Sequence, residues 1–334
     1  MAEAGLAPRP APLTAARRCV RVLACSALLL VAPHLAWAEP DWPDRPVRLV
    51  VPLSPGGAAD LTARVLAAGL APRLGQPVTV ENRPGGGGNV AIEHVARAAP
   101  DGYTLLMVPT MLALNGLLGP ANFDPLRDFA PIALVGETAM TLVVSNRLAV
   151  ASPRDLARRL DDPGARLTCA SAGGLQAIAC GLLRTHARAE VTTVPYRGGV
   201  QVLNDLVSGN VDLTFSLGNG AAAHVAAGRV RALASTDVPR RAEAAGLASL
   251  SETLEGFVLT GWQAVVAPAG TAPAIVERLH AEIVAVLGDP EARKRLLAMA
   301  VEPVASTPAQ FARRLEADVQ RYARVVRDAG LRTP

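Results

Sequence analysis

The chain has 334 residues, half of them apolar, enough for two ordinary domains with full cores and too apolar for extended disorder beyond the N-terminus. Its formal charge of +4 is uneven: the first 38 residues hold four arginines and one glutamate, which leaves 29 basic and 28 acidic residues beyond them. That balance, with no basic stripe interleaved with aromatics, disfavours nucleic acid as a partner. The histidines are scattered and no Cys/His cluster has zinc spacing, so no metal and no cofactor is expected.

The N-terminus reads as an export signal. Arg17, Arg18 and Arg21 form a basic region ahead of the apolar run Val22–Val31, and Ala36-Trp37-Ala38 supplies a small-x-small cleavage pattern. The run is short of the roughly 20 residues that span a bilayer. Residues 1–38 are therefore expected to leave as a signal peptide, with a mature start near Glu39 and a periplasmic destination. The Arg17-Arg18 pair keeps both the general and the twin-arginine export routes open. The mature chain keeps two cysteines, Cys169 at the end of a strand and Cys180 in the next helix. An oxidising compartment permits them to pair, and a disulfide and two separate thiols both remain open.

Short apolar runs then alternate with amphipathic stretches, the pattern of βαβ units around a mostly parallel sheet. Val47–Val51 is the first strand, and the turn after it holds Ser54, Pro55, Gly56, Gly57 and Ala58 before Asp60 opens a helix. Leu66, Leu70 and Leu74 share one face of that helix. A strand running into a glycine turn and a helix start makes a socket for an anion. Free N–H groups point out of the helix, and its dipole adds roughly half a positive charge there. Asp60 suits capping of those N–H groups, because as a ligand contact it would repel an anion.

Val78–Val80 is a second strand, and Gly85–Gly88 is a tight connection to a helix beginning at Asn89. No lysine follows those glycines, so they do not form a phosphate loop. Thr104–Val108 is a third strand, with Thr110 just beyond it offering a hydroxyl at the same end. Ile132–Val135 and Thr141–Val144 read as two further strands.

Strands follow at Arg166–Ala170, Val191–Val194, Val211–Phe215, Val230–Ala234 and Trp262–Ala267. The turn Ser171, Ala172, Gly173 and Gly174 repeats the physics of the first one. Tyr196 and Gly198 follow a neighbouring strand, and Asn219 follows another. The chain ends in helices whose stripes, Ile275, Leu279 and Ile283, then Phe311, Leu315, Val319, Tyr322 and Val326, face a core. No base, nucleophile, metal or cofactor pattern accompanies the sockets, so binding without catalysis is expected.

Over nearly all its mature length the sequence resembles the periplasmic solute receptors of tripartite tricarboxylate transporters, the Bug family. The residues that carry the resemblance include Trp42-Pro43-Asp44-Arg45-Pro46-Val47, Pro55-Gly56-Gly57 with Asp60 and Arg64, and Gly75-Gln76-Pro77-Val78. Others are Glu81-Asn82-Arg83-Pro84-Gly85, Pro100-Asp101-Gly102-Tyr103-Thr104-Leu105, Val194-Pro195-Tyr196-Arg197-Gly198, Gly209-Asn210-Val211-Asp212-Leu213, Gly261-Trp262 and Ala267-Pro268-Ala269-Gly270-Thr271.

The resemblance implies an α/β fold of the type II periplasmic binding protein class, two α/β lobes joined by two crossover strands around a ligand cleft. Lobe 1 would hold residues 39–139 and 262–334, and lobe 2 residues 140–261. It further implies capture of a small carboxylate (a di- or tricarboxylate, an aromatic carboxylate or an amino acid) by a monomer that serves membrane permease subunits. The ligand would meet Ser54 to Ala58 from one lobe and Ser171 to Gly174, Tyr196, Gly198 and Asn219 from the other. Where the family usually continues the second turn with glycine, serine and, a few positions later, histidine, this chain has Leu175, Gln176 and Ala179. The alternatives are a receptor that feeds a sensor kinase and, from another class, an exported enzyme using the same cleft.

Overall fold

The computed structural model describes residues 42–331 and Met1; the segment read as an export signal lies outside the described residues. Three parallel strands open the fold: β1 (Val47–Val51), β2 (Val78–Asn82) and β3 (Thr104–Pro109). Between and after them run helices α1 (Ala58–Leu74), α2 (Asn89–Ala96) and α3 (Met111–Leu118). The Leu66, Leu70 and Leu74 stripe of α1 is buried as its spacing predicts, and the helix stops at Gly75, whose φ of 68° is a left-handed C-terminal cap.

The long strand β4 (Phe129–Ser145) comes next, followed by α4 (Pro153–Asp161), β5 (Arg166–Ser171), α5 (Gly174–Thr185), β6 (Glu190–Pro195) and α6 (Gly199–Ser208). After these lie β7 (Leu213–Leu217), α7 (Ala222–Ala226), β8 (Val230–Ser235), α8 (Pro239–Ala244) and β9 (Thr260–Pro268). The chain closes with α9 (Pro273–Gly288), α10 (Pro290–Ala298), the two-residue β10 (Glu302–Pro303) and α11 (Pro308–Asp328).

Among the described residues one path of hydrogen-bonded strands runs β2-β1-β3-β9-β4-β7-β5-β6, with β8 and β10 also paired to β4. The β1–β2–β3 and β6–β5–β7 sets are parallel, whereas every pairing of β4 and β9 is antiparallel. β4 changes partners midway: Phe129 to Ala139 face β9, and Met140 to Ser145 face β7 and β8.

The two strands expected at Ile132–Val135 and Thr141–Val144 are therefore one strand of 17 residues, about 55 Å long at the usual rise. Gly136, which interrupts the apolar run, makes no turn. A Cβ there would lie 2.4 Å from Val301 Cγ1, so the glycine lets β10 approach the middle of β4.

α11 packs against α3 beside the first set of strands and against α5 beside the second. Its stripe of Phe311, Leu315, Tyr322 and Val326 is buried, with Val319 half-buried beside them. Cys169 and Cys180 form a disulfide, with Cα atoms 5.8 Å apart across a separation of 11 residues, which ties β5 to the helix after it.

Closing a loop of that length removes unfolded-chain freedom worth about 3 kcal/mol in the chain-entropy account. The double variant Cys169→Ala/Cys180→Ala is expected to lose about that much in urea unfolding, with the native far-UV circular dichroism retained. No loss would mean that the bond adds nothing to the fold.

Candidate functional site

Both glycine turns are built by the same device. In the first, Gly57 is the N-cap of α1 and Asp60 is its third residue, whose carboxylate reaches back to accept the Gly56 N–H at 2.8 Å. In the second, Gly173 is the N-cap of α5 and Gln176 is its third residue, whose Oε1 accepts the Ala172 N–H at 2.9 Å. Each reach-back bond pins the turn while the first N–H groups of the helix stay free of intrahelical partners. Gly56 and Gly173 have φ near 90°, a conformation other residues adopt only under strain. The positive φ falls on Gly56, before the N-cap, in the first turn and on the N-cap Gly173 and on Gly174 in the second. The turns also differ in charge. Asp60 carries a charge and Gln176 does not.

Asp60 is buried and grips Arg64 twice, at 3.0 Å from each of two guanidinium nitrogens. Arg64 holds its carboxyl below the usual carboxylate range, against burial, which raises it; the Gly56 N–H and Asn82 lower it further. Asn82, at the end of β2, also donates to the Leu53 carbonyl at 3.0 Å and so fixes the approach to the turn. Gln176 spends its other end on the Phe215 carbonyl at 2.8 Å, and Ala179 is buried in α5. Neither is free to meet a ligand through its own side chain.

The two helix starts open onto one cavity of about 280 Å3. Ala58 and Ala59 border it from α1, and Gly174 and Leu175 from α5. β4 and β9 supply Thr138, Gly261, Trp262 and Gln263. Leu53, Met111 and Leu114 close it on one side and Leu217 on the other. The indole of Trp262 is held from behind, its Nε1 donating to Asp318 at 2.9 Å and its ring lying edge-on to Phe311. Thr110 borders the cavity, but its hydroxyl is engaged with the Trp262 backbone, accepting from N–H at 2.8 Å and donating to C=O at 3.3 Å.

Of the residues expected from sequence, Ala58, Thr110 and Gly174 border the cavity. Gly56, Asp60 and Ala172 shape the turns through the reach-back bonds, and Ser171 accepts from the Gly173 N–H at 3.0 Å. Ser54, Pro55 and Gly57 form the exposed lip of the first turn. Tyr196 donates its hydroxyl to Asp205 at 2.6 Å; burial and that carboxylate push its pKa up to about 12. Tyr196, Gly198 and Asn219 lie outside the cavity wall.

The wall residues that sequence reasoning missed, chiefly Leu53, Leu217 and Gln263, come from separate segments. A Gly-Trp pair inside an apolar strand was the one hint.

Asp60 supplies a pH test. Its folded pKa lies below the unfolded value, so its contribution is present above the unfolded pKa and fades as pH falls through the folded one. Asp60→Asn keeps an acceptor for the Gly56 N–H and loses the ion pair with Arg64. It is expected to be less stable than the parent by about 1 kcal/mol at pH 7, the gap closing towards pH 3. Parallel urea titrations check this, and a gap independent of pH would remove the ion pair from the explanation.

With this geometry in hand, comparison with known proteins is direct. The model of the tripartite tricarboxylate transporter family receptor matches residues 62–331. The R. palustris protein Rpa4515, solved with adipate, is 32% identical, with a TM-score of 0.72 over 86% of this chain and 98% of that one. The periplasmic binding protein BugD is 29% identical, with a TM-score of 0.70 over 88% and 100% of the two chains. MatC from Rhodopseudomonas palustris, solved with malate, is 29% identical, with a TM-score of 0.68 over 85% and 100%. The family match spans most of the chain and the solved relatives share its architecture, so this chain is a member of the tripartite tricarboxylate transporter receptor family, with the fold of its periplasmic binding proteins.

Proposed function

We propose that the chain is an exported receptor that captures a small carboxylate in the cavity between α1 and α5 and delivers it to the membrane permease subunits of a tripartite tricarboxylate-type transporter. The observation that carries this reading is the convergence of two helix N-termini on one cavity bordered by the two long strands. The carboxylates bound by Rpa4515 and MatC support the ligand class.

In this reading residues 39–139 with 262–334 form one lobe and 140–261 the other, and the hinge is the stretch where β4 changes partners. A ligand that touches both helix starts has more contacts when the lobes are closed and so shifts the population towards closure. Binding free energy comes from the helix-start N–H groups, each charge-assisted bond contributing about 1.5–3 kcal/mol. The receptor works as a monomer in the periplasm, and residues 1–38 are its export signal.

Thermal shift with a panel of mono-, di- and tricarboxylates and amino acids tests the reading. A ligand at a hundredfold excess over Kd is expected to stabilise the protein by about 2.7 kcal/mol. Melting-point shifts from uncharged or cationic solutes alone would refute carboxylate capture. Ala58→Asp separates binding from folding, because Ala58 is an exposed residue on the cavity wall at the first position of α1. A carboxylate there favours the helix by about 0.5 kcal/mol yet opposes an anionic ligand. The variant is expected to keep or gain stability and to lose the ligand-induced shift.

A further inference from the structure

We propose that this cleft selects a carboxylate with a single negative charge on an apolar body, together with a neutral hydrogen-bonding group that meets the side-chain amide of Gln263. The proposal rests on the carboxylate-capture reading and narrows it. Its first ground is the chemistry of the wall. Leu53, Met111, Leu114, Leu175, Leu217 and Trp262 dominate the lining, and among the described residues no arginine, lysine or histidine borders the cavity. A second ligand carboxylate placed there would lose its water and gain no counter-charge. Leu217 is 47% exposed although it borders the cavity, and Leu175 Cδ2 lies beside it, 3.3 Å from where a Cβ on Gly261 would stand. A ligand with an apolar body covers that exposed surface.

The second ground is the asymmetry of the helix starts. α1 already holds an ion pair at its start, Asp60 at its third position with Arg64, whereas α5 holds the neutral Gln176 there. The dipole of α5 is uncompensated by any residue of its own turn, so the one ligand carboxylate belongs at the N–H groups of Gly174 and Leu175.

The third ground is Gln263. It is 7% exposed, it borders the cavity, and its Oε1 is sealed from solvent with no hydrogen-bond partner. An amide oxygen closed to water meets a ligand only once the side chain turns towards the cavity, and a bound group that draws it out relieves the cost of the missing partner. A ligand group that both donates and accepts, such as a primary amide, satisfies that end in either orientation.

Isothermal titration of the purified protein with three five-carbon probes decides the matter: glutarate, its monoamide glutaramate, and pentanoate. Glutaramate is expected to bind about tenfold or more tighter than glutarate, with pentanoate between them. Gln263→Leu is expected to abolish the preference, so that the variant binds glutaramate no more tightly than it binds pentanoate. Leu217→Arg, at a half-exposed position that tolerates a charge, is expected to reverse the preference in favour of glutarate.

Glutarate as the tightest probe of the unaltered protein, or binding of other dicarboxylates and none of these three, overturns the single-charge rule and leaves carboxylate capture standing. Equal affinity for glutaramate and pentanoate removes Gln263 from recognition. Failure of every carboxylate in the thermal-shift panel, by contrast, sinks the capture reading itself.

Discussion

The rest of the structure depends on one constraint: β4 is a single extended strand that belongs to two half-sheets. A strand has two edges, and β4 offers β9 and β10 partners along its first part and β7 and β8 along its second. Backbone hydrogen bonding is an obligatory account, so each change of partner must leave no buried N–H or C=O unpaired. The change at Ala139 and Met140 is met at once: the Ala139 carbonyl accepts from Gly218 and the Met140 carbonyl from Thr236. The cavity sits beside this exchange, with Thr138 on β4 and Gly261 on β9 in direct register. The cleft thus lies where two half-sheets share a strand.

Behind the shared strands an ionic network binds the two halves to the C-terminal helix. Glu137 on β4 takes Arg314 of α11 at 3.0 Å on one oxygen and Arg241 of α8 at 2.8 Å on the other. Arg314 also holds Asp318, and Asp318 in turn accepts the Trp262 indole N–H that positions one wall of the cavity. Both arginines are about one-third exposed, so solvent screens these pairs and their value is mainly geometric. The network fixes the angle of Trp262 and with it the shape of the apolar wall.

The two turns show how one reach-back hydrogen bond carries different electrostatics. A side chain at the third helical position accepts the N–H of the residue before the N-cap in both. Aspartate at one and glutamine at the other both make this bond and set a different charge beside the helix start.

The turns, the parallel strands and the stripes of α1 and α11 were legible in the sequence, because each depends on neighbours within a few residues. Glycine needs no partner to permit a φ near 90°, and a leucine repeat of four defines a helix face whatever packs on it. The family resemblance extended that local information to the fold class. The continuity of β4 was not legible, since Gly136 reads as a break until β10 is seen packed against it. The wall of the cavity was hidden for a different reason: β9 is buried on both faces, so no alternation marks which side chains meet a ligand. Nor could the sequence place Leu53, Leu175, Leu217 and Gln263 around one space, as they come from segments far apart in the chain. By itself the sequence determined two sockets for anions on an α/β frame. Only the tertiary structure, by bringing both to β4 and β9, decided that the space between them has an apolar wall.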